Sequence, residues 1–224
     1  MPSDAFFADP PPLFREHGID VALIDGLHTH GQALRDMQNC LRFLNAGGVI
    51  VVHDCLPALV AEATPDLAHA RLMPGFTGDW TGDVYRAIVE LRCQRPDLMV
   101  AVLDTDHGVG IVQQGTAESM LAPLPGEISA LPYDTLSASH TELLNLKPAR
   151  WFDEWLAAGP PSGSVPSRAG DEDDAYGCAL PSGALDGVQA GVMQTHYKGV
   201  QLHKSPFDIS LHCCPVKSRT NSIG

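Results

Sequence analysis

Residues 19–24, IDVALI, form a short and nearly continuous apolar run, the pattern of a strand covered on both faces. The following stretch, THGQALRDMQNCLRFLNAGG, sets Leu34, Met37, Leu41 and Leu44 at helical spacing and ends on Gly47 and Gly48, a helix stop. VIVVHDC is a second apolar run that closes on polar residues. Strand, helix and strand in such short order predict a βαβ unit with parallel, neighbouring strands and a right-handed crossover. Beyond it, GDVYRAIVELRCQRPDL places Val84, Ile88, Val89 and Leu91 on one helical face. LMVAVLDT and GVGIVQQ then read as strands joined through DTDHG, short enough for a hairpin, so the last strands are expected to be antiparallel. An amphipathic helix across YDTLSASHTELLNL and a short one in ARWFDEWLAA complete the pattern, which makes residues 1–158 an α/β sheet domain.

The character of the chain changes after that point. GPPSGSVPSRAGDEDDAYG is rich in Gly, Pro and Ser and carries an acidic run, so residues 159–190 read as a flexible, disordered linker. The tail, 191–224, regains aromatic and apolar residues but is too short for a core of its own and must dock on something.

Composition narrows the partners. A formal charge of -13 argues against nucleic acid and against an anionic membrane surface, both of which call for clustered Lys and Arg. A small molecule is the expected partner. No stretch approaches the roughly 18 to 20 apolar residues of a membrane span, and MPSDAFFADPPP lacks the basic and apolar regions of a signal peptide, so the cytoplasm is the expected location. Six cysteines, at 40, 55, 93, 178, 213 and 214, show no CxxC pairing and read as thiols in a reducing compartment.

Ligands of open parallel sheets bind where the loops leave the carboxyl ends of the strands. Asp25 follows the first strand, and His53 and Asp54 follow the second. If the two strands are parallel neighbours, these groups lie about 5 to 10 Å apart on one edge. Asp25 and Asp54 supply hard oxygen donors for a cation such as Mg²⁺, and the histidines extend the choice to Zn²⁺, Fe²⁺ or Mn²⁺. Either His28 or His53, beside a carboxylate, is also a candidate general base. His30, one residue into the helix, is expected at the surface. In FTGDWTGDVYRA, Asp79 or Asp83 is expected to cap the helix that follows, with Trp80 as an alternative rim over the sheet edge, and DTDHGVG reads as a hairpin tip.

Taken together, SDAFFAD, IDVALIDGLHTHGQALRDMQNCLRFLNAGGVIVVHDCLP, WTGDVYRAIVELRCQRPDLMVAVLDTDHGVGIV and LPYDTLSASHTELLNL resemble the later half of a class I S-adenosylmethionine-dependent methyltransferase. More narrowly, they resemble a small bacterial group whose fourth strand ends in Ile-Asp-Gly-x-His and whose fifth ends in His-Asp or Asp-Asp. The resemblance implies a Rossmann-like methyltransferase sheet with an antiparallel last strand, and methyl transfer to an oxygen of a small or sugar-like acceptor. It further implies that Ser3 and Asp4 lie where adenine is contacted, that Asp25 and Gly26 lie beside the methionine part of the cofactor, and that Asp25 and Asp54 hold Mg²⁺ with His53 in place of an acid. His28 or His53 would then be the base acting on the acceptor hydroxyl.

The family's glycine-rich cofactor loop and the acid that holds the ribose would fall before residue 1, so the sheet is expected to be N-terminally truncated. Such a sheet would leave an open edge for a second copy or a partner chain to cover. The same gap supports a non-enzymatic alternative, an inactive fragment or pseudoenzyme. A third reading starts from DGLHTH, which resembles the His-x-His strand end of metal-dependent hydrolases of the amidohydrolase type, whose barrel needs about 250 residues. In the tail, THYKGVQLHKSPFDISLH and KSRTNSIG resemble the opening of a cephalosporin-hydroxylase-type methyltransferase, which would make the tail the start of a second methyltransferase domain.

Overall fold

Two parallel strands, β1 (Ile19–Asp25) and β2 (Leu44–Val52), form the centre of the computed structural model, with Leu23 opposite Val51 and Ile24 opposite Val52. The structure describes residues 1–158 and the backbone of 192–196. The predicted linker and nearly all of the tail, with the second resemblance it carries, lie outside the described residues.

Helix α3 (His30–Phe43) crosses between β1 and β2 and buries Ala33, Met37, Cys40 and Leu41 against the sheet. It ends one residue before β2 begins, so Gly47 and Gly48 are not its stop as expected. They belong to the irregular start of β2, where the register shifts between Ile19 and Val21. A Cβ on Gly48 would lie 2.9 Å from the carbonyl oxygens of Asn45 and Ile19, which is why the chain can pass there only as glycine.

The remaining strands, β3 (Leu98–Asp104) and β4 (Val109–Gln114), form the predicted antiparallel hairpin, and β4 inserts between β3 and β2. A short β5 (Leu146–Pro148) lies parallel to β3. The helix expected to run to residue 146 therefore stops early, as α6 (Tyr133–Leu143). Asn145 takes a left-handed φ of 49° and turns the chain into β5, and asparagine tolerates that region better than most residues. The full order is β5-β3-β4-β2-β1-β6, a mixed Rossmann-like α/β sheet.

The last strand corrects the expectation of an open edge. The side of β1 away from β2 pairs antiparallel with β6 (Val192–His196), placing Asp25 opposite Val192. An unpaired strand edge carries a row of unsatisfied N–H and C=O groups, and a segment of the same chain fills it here.

One face of the sheet is covered by α3, α5 (Val84–Gln94) and α6, which contribute Met37, Ile88 and Leu136 to the larger core. The other face holds Met99, Ala101, Leu103 and Ile111, packed against Trp151, Phe152 and Trp155 of α7 (Trp151–Ala158). At the start of the chain, α1 (Ser3–Ala8) and α2 (Pro12–His17) dock through Phe6, Phe7 and Phe14, with Phe43 of α3 completing an aromatic cluster at centroid distances of 5.0 to 6.1 Å. Three of the cysteines, Cys40, Cys55 and Cys93, are described, and all three are free thiols. No helix among the described residues is long and apolar enough to cross a membrane.

Arg92, only 4% exposed, fixes the end of α6. Its guanidinium donates to the carbonyls of Glu142 and Leu143, the latter at 2.8 Å, and to the Ser119 hydroxyl at 2.9 Å. A cation at a helix carboxyl end satisfies carbonyls that have no partner within the helix. Arg92→Met should cost about 2 to 3 kcal/mol, because charge-assisted bonds are lost and buried carbonyls are left unpaired. Urea unfolding would measure the loss, and faster amide exchange at Leu144 would localise it to the end of α6.

Candidate functional site

Because β1 and β2 run parallel, their carboxyl ends open on the same edge, and the residues that follow them converge there. The backbone N–H of His53 still donates to Ile24 O at 2.9 Å, so the pairing continues up to the site. Asp54 then adopts φ 61°, a left-handed turn that swings the chain out of the sheet and sets its carboxylate, 6% exposed, against β1. Aspartate is among the few residues that enter this region at modest cost.

Two imidazoles meet two carboxylates. His28 Nε2 lies 3.2 Å from Asp54 Oδ2 and 3.6 Å from Asp25 Oδ1. His53 Nδ1 lies 3.3 Å from Asp54 Oδ2 and 3.6 Å from Asp25 Oδ1. Each ring is fixed through its other nitrogen. His28 Nδ1 lies 2.9 Å from the Trp80 carbonyl, which can only accept, so Nδ1 carries the proton and Nε2 is the nitrogen presented to the carboxylates. His53 Nε2 faces Asp106 Oδ2 at 3.3 Å, which leaves Nδ1 for the cluster.

The electrostatics follow from burial and charge together. The hydrogen bond from His28 holds Asp25 below the usual carboxylate range, against the effect of its partial burial. For Asp54, burial is the largest influence and pushes the carboxyl above its ordinary value despite both imidazoles. Burial opposes charge on His28 and His53, but the carboxylates around each outweigh it and raise both imidazoles above their ordinary value.

Asp25, His53 and Asp54 each offer one donor atom, and these three atoms lie within 4.8 Å of one another. Ligand atoms about 2.0 to 2.6 Å from a shared ion are at most about twice that distance apart, so the set accommodates one divalent cation. Gly26 continues directly from Asp25 into the loop toward α3. Ser3 and Asp4, in the first turn of α1, flank the start of α3 instead: Gln32 Nε2 donates to Ser3 Oγ at 3.1 Å and to Asp4 Oδ1 at 3.3 Å. Ser3 is buried, whereas the Asp4 side chain remains half exposed.

Tertiary structure adds one residue, Asp106, puts Trp80 at the rim that the sequence offered as an alternative, and moves two others. Trp80 stacks on His28 at 5.0 Å between centroids, and its indole donates to Thr64 O at 2.6 Å, so it forms the rim of the site. Asp106, expected only as part of a hairpin tip, reaches His53. Asp83 occupies the start of α5 without capping it, which corrects the sequence expectation. Its carboxylate instead accepts from the His30 N–H at 2.6 Å and from Arg86 at 2.6 Å, anchoring the start of α3 from a distant segment. His30 is likewise not a surface residue, since its Nε2 meets Glu90 Oε2 at 2.7 Å between α3 and α5.

The His30–Glu90 pair carries a pH signature. The hydrogen bond from His30 lowers the Glu90 pKa more than burial raises it. A depressed folded-state value means that the pair stabilises the fold above the unfolded glutamate pKa and loses that contribution as pH falls through the folded value. Glu90→Gln should therefore destabilise the protein near neutral pH and converge with the native chain in strong acid, as read from urea midpoints at several pH values.

No curated protein and no solved structure matches the chain. Residues 3–55, the stretch that contains Ser3, Asp4, Asp25, Gly26, His28, His53 and Asp54, match the family model of a methyltransferase domain.

Proposed function

We propose that this chain carries out S-adenosylmethionine-dependent methyl transfer to an oxygen of a small acceptor, at the edge formed by the ends of β1 and β2. The observation that carries the reading is the convergence of Asp25, His28, His53 and Asp54 at that edge, inside the stretch matched by the methyltransferase model.

The donor set fits a divalent cation, with Asp25 and Asp54 as oxygen ligands and His53 Nδ1 as the nitrogen ligand. Mg²⁺ at this place would act as a Lewis acid on an acceptor oxygen. Asp106 completes the His53 arrangement from outside, because a ligating histidine holds its orientation by donating its second N–H to a carboxylate. The cofactor would supply a methyl group on a positively charged sulfonium. The two carboxylates favour positive charge at this edge, Gly26 follows Asp25 into the loop, and Asp4 stays half exposed next to Ser3.

His28 acts as the base. In its neutral form the Nε2 lone pair faces the cluster, while the Trp80 carbonyl holds Nδ1–H and the Trp80 ring fixes the plane of the imidazole. Protonation of Nε2 is stabilised by Asp25 and Asp54, the condition a base needs in order to take a proton from a hydroxyl. Isothermal titration with S-adenosylmethionine, in the presence and absence of Mg²⁺, tests the reading. Saturable binding is expected, and no heat at millimolar cofactor would defeat it.

A further inference from the structure

A cavity of about 420 Å³ lies beside the cluster, between the segment after β2, the β3–β4 hairpin tip and α6. Its wall and the cluster share one residue, Asp106, which lines the cavity and also faces His53 Nε2 at 3.3 Å. Tyr133 ties α6 to the segment after β2 by donating to Ala58 O at 2.6 Å, so the cavity walls are linked to each other. Leu56 and Leu136 supply apolar wall, and the charged or titratable lining consists of Asp104, Asp106, His107, Tyr133 and His140. Among the described residues no lysine or arginine lines it.

We infer that this cavity is the acceptor site, and that it takes a small amine-bearing polyol, a cation with several hydroxyl groups, in preference to an anion. The inference rests on the methyl-transfer reading for the ligand's role as acceptor, but the cavity's charge preference can be measured without it. An anion placed here would face two carboxylates with no lysine or arginine among the described lining residues to offset them, only the imidazoles of His107 and His140, so its desolvation would be poorly compensated. A cation finds those carboxylates unopposed by Lys or Arg, while hydroxyl groups meet the polar wall and the carbon skeleton lies on the leucines. The volume is at the small end of the range for ligand sites, which restricts the occupant to about one sugar-sized unit. Asp106 sets the ligand's inner end next to His53, so a hydroxyl at that end is directed toward the carboxylate and imidazole cluster.

The test uses three probes that share a polyol chain and differ in charge: N-methyl-D-glucamine, sorbitol and gluconate. Each is titrated into the full chain near neutral pH by isothermal calorimetry and saturation-transfer NMR. The amine should bind at least about fivefold more tightly than sorbitol, with gluconate weakest. Asp104→Asn, a change at an exposed strand end, should remove most of that preference without lowering the melting temperature. Ser137→Lys, on the exposed side of α6 that faces the cavity, should reverse the order of amine and gluconate. Equal binding of all three probes, no binding of any, or an order that neither variant changes overturns the inference. Titration of S-adenosylmethionine in parallel separates the two readings. Cofactor binding without a polyol preference leaves methyl transfer standing and removes the cavity assignment, whereas an amine preference without cofactor binding does the reverse.

Discussion

Replacing Asp54 by asparagine is expected to lower the affinity for Mn²⁺, used as a spectroscopic stand-in for Mg²⁺, by more than about 100-fold while leaving the fold intact. Asparagine suits this test because it tolerates the left-handed φ of 61° at this position, so the change removes the charge and keeps the turn. Burial already opposes the Asp54 charge, so the melting temperature of the variant should hold or rise. Asp106→Asn acts one bond further out, through the orientation of His53, and should cost less, about 10- to 100-fold. The pH dependence has a definite sign. His53 must lose its proton before Nδ1 can ligate, and both His53 and Asp54 have raised values, so Mn²⁺ affinity should climb as pH rises above the ordinary histidine range and then level off. Electron paramagnetic resonance of Mn²⁺ across a pH series would read both effects. Equal affinity in Asp54→Asn and the native chain would remove Asp54 from the ligand set.

Gly82→Ala is expected to be the most damaging alanine substitution among the described glycines. Gly82 has φ 60°, and a Cβ there would sit 1.7 Å from the carbonyl oxygen of His28, a backbone atom with no room to yield. That carbonyl also accepts from the Asp83 N–H at 3.2 Å, so the two segments are stitched together where the methyl would intrude. Left-handed φ alone costs about 1 to 2 kcal/mol for a non-glycine residue, and forced displacement of packed backbone adds at least as much. A loss of about 3 kcal/mol or more in urea unfolding should result. Gly75→Ala is the control: it has a similar positive φ of 81° but nothing within 4 Å, and should lose only about 1 kcal/mol. Because Gly82 holds the Trp80 segment against His28, the variant should also weaken ligand binding under conditions where it remains folded.

The strands and their end residues were legible in the sequence because a strand buried on both faces has to be apolar along its length. A break from IDVALI into Gly26, or from VIVV into His53, therefore marks where it leaves the sheet. Parallel pairing of β1 and β2 followed from the helix between them, and with it the meeting of Asp25, His53 and Asp54. Where local signals misled, a longer-range contact had taken the residue. Gly47 and Gly48 look like a helix stop but lie in β2, where Gly48 serves a close approach to Ile19, Asp83 looks like a cap for its own helix but caps α3, and His30 looks exposed but meets Glu90.

What the sequence by itself determined was the list of chemical groups at the sheet edge and the direction of the strands that carry them, since both are properties of short, periodic segments. Tertiary structure alone decided which nitrogen of each imidazole faces the carboxylates. That choice depends on the Trp80 carbonyl and the Asp106 carboxylate, each about 50 residues away from its histidine along the chain and brought within hydrogen-bonding range only by folding. It also decided that β1 finds its second partner in residues 192–196, because a strand edge fixes the need for backbone hydrogen bonds but not the segment that supplies them.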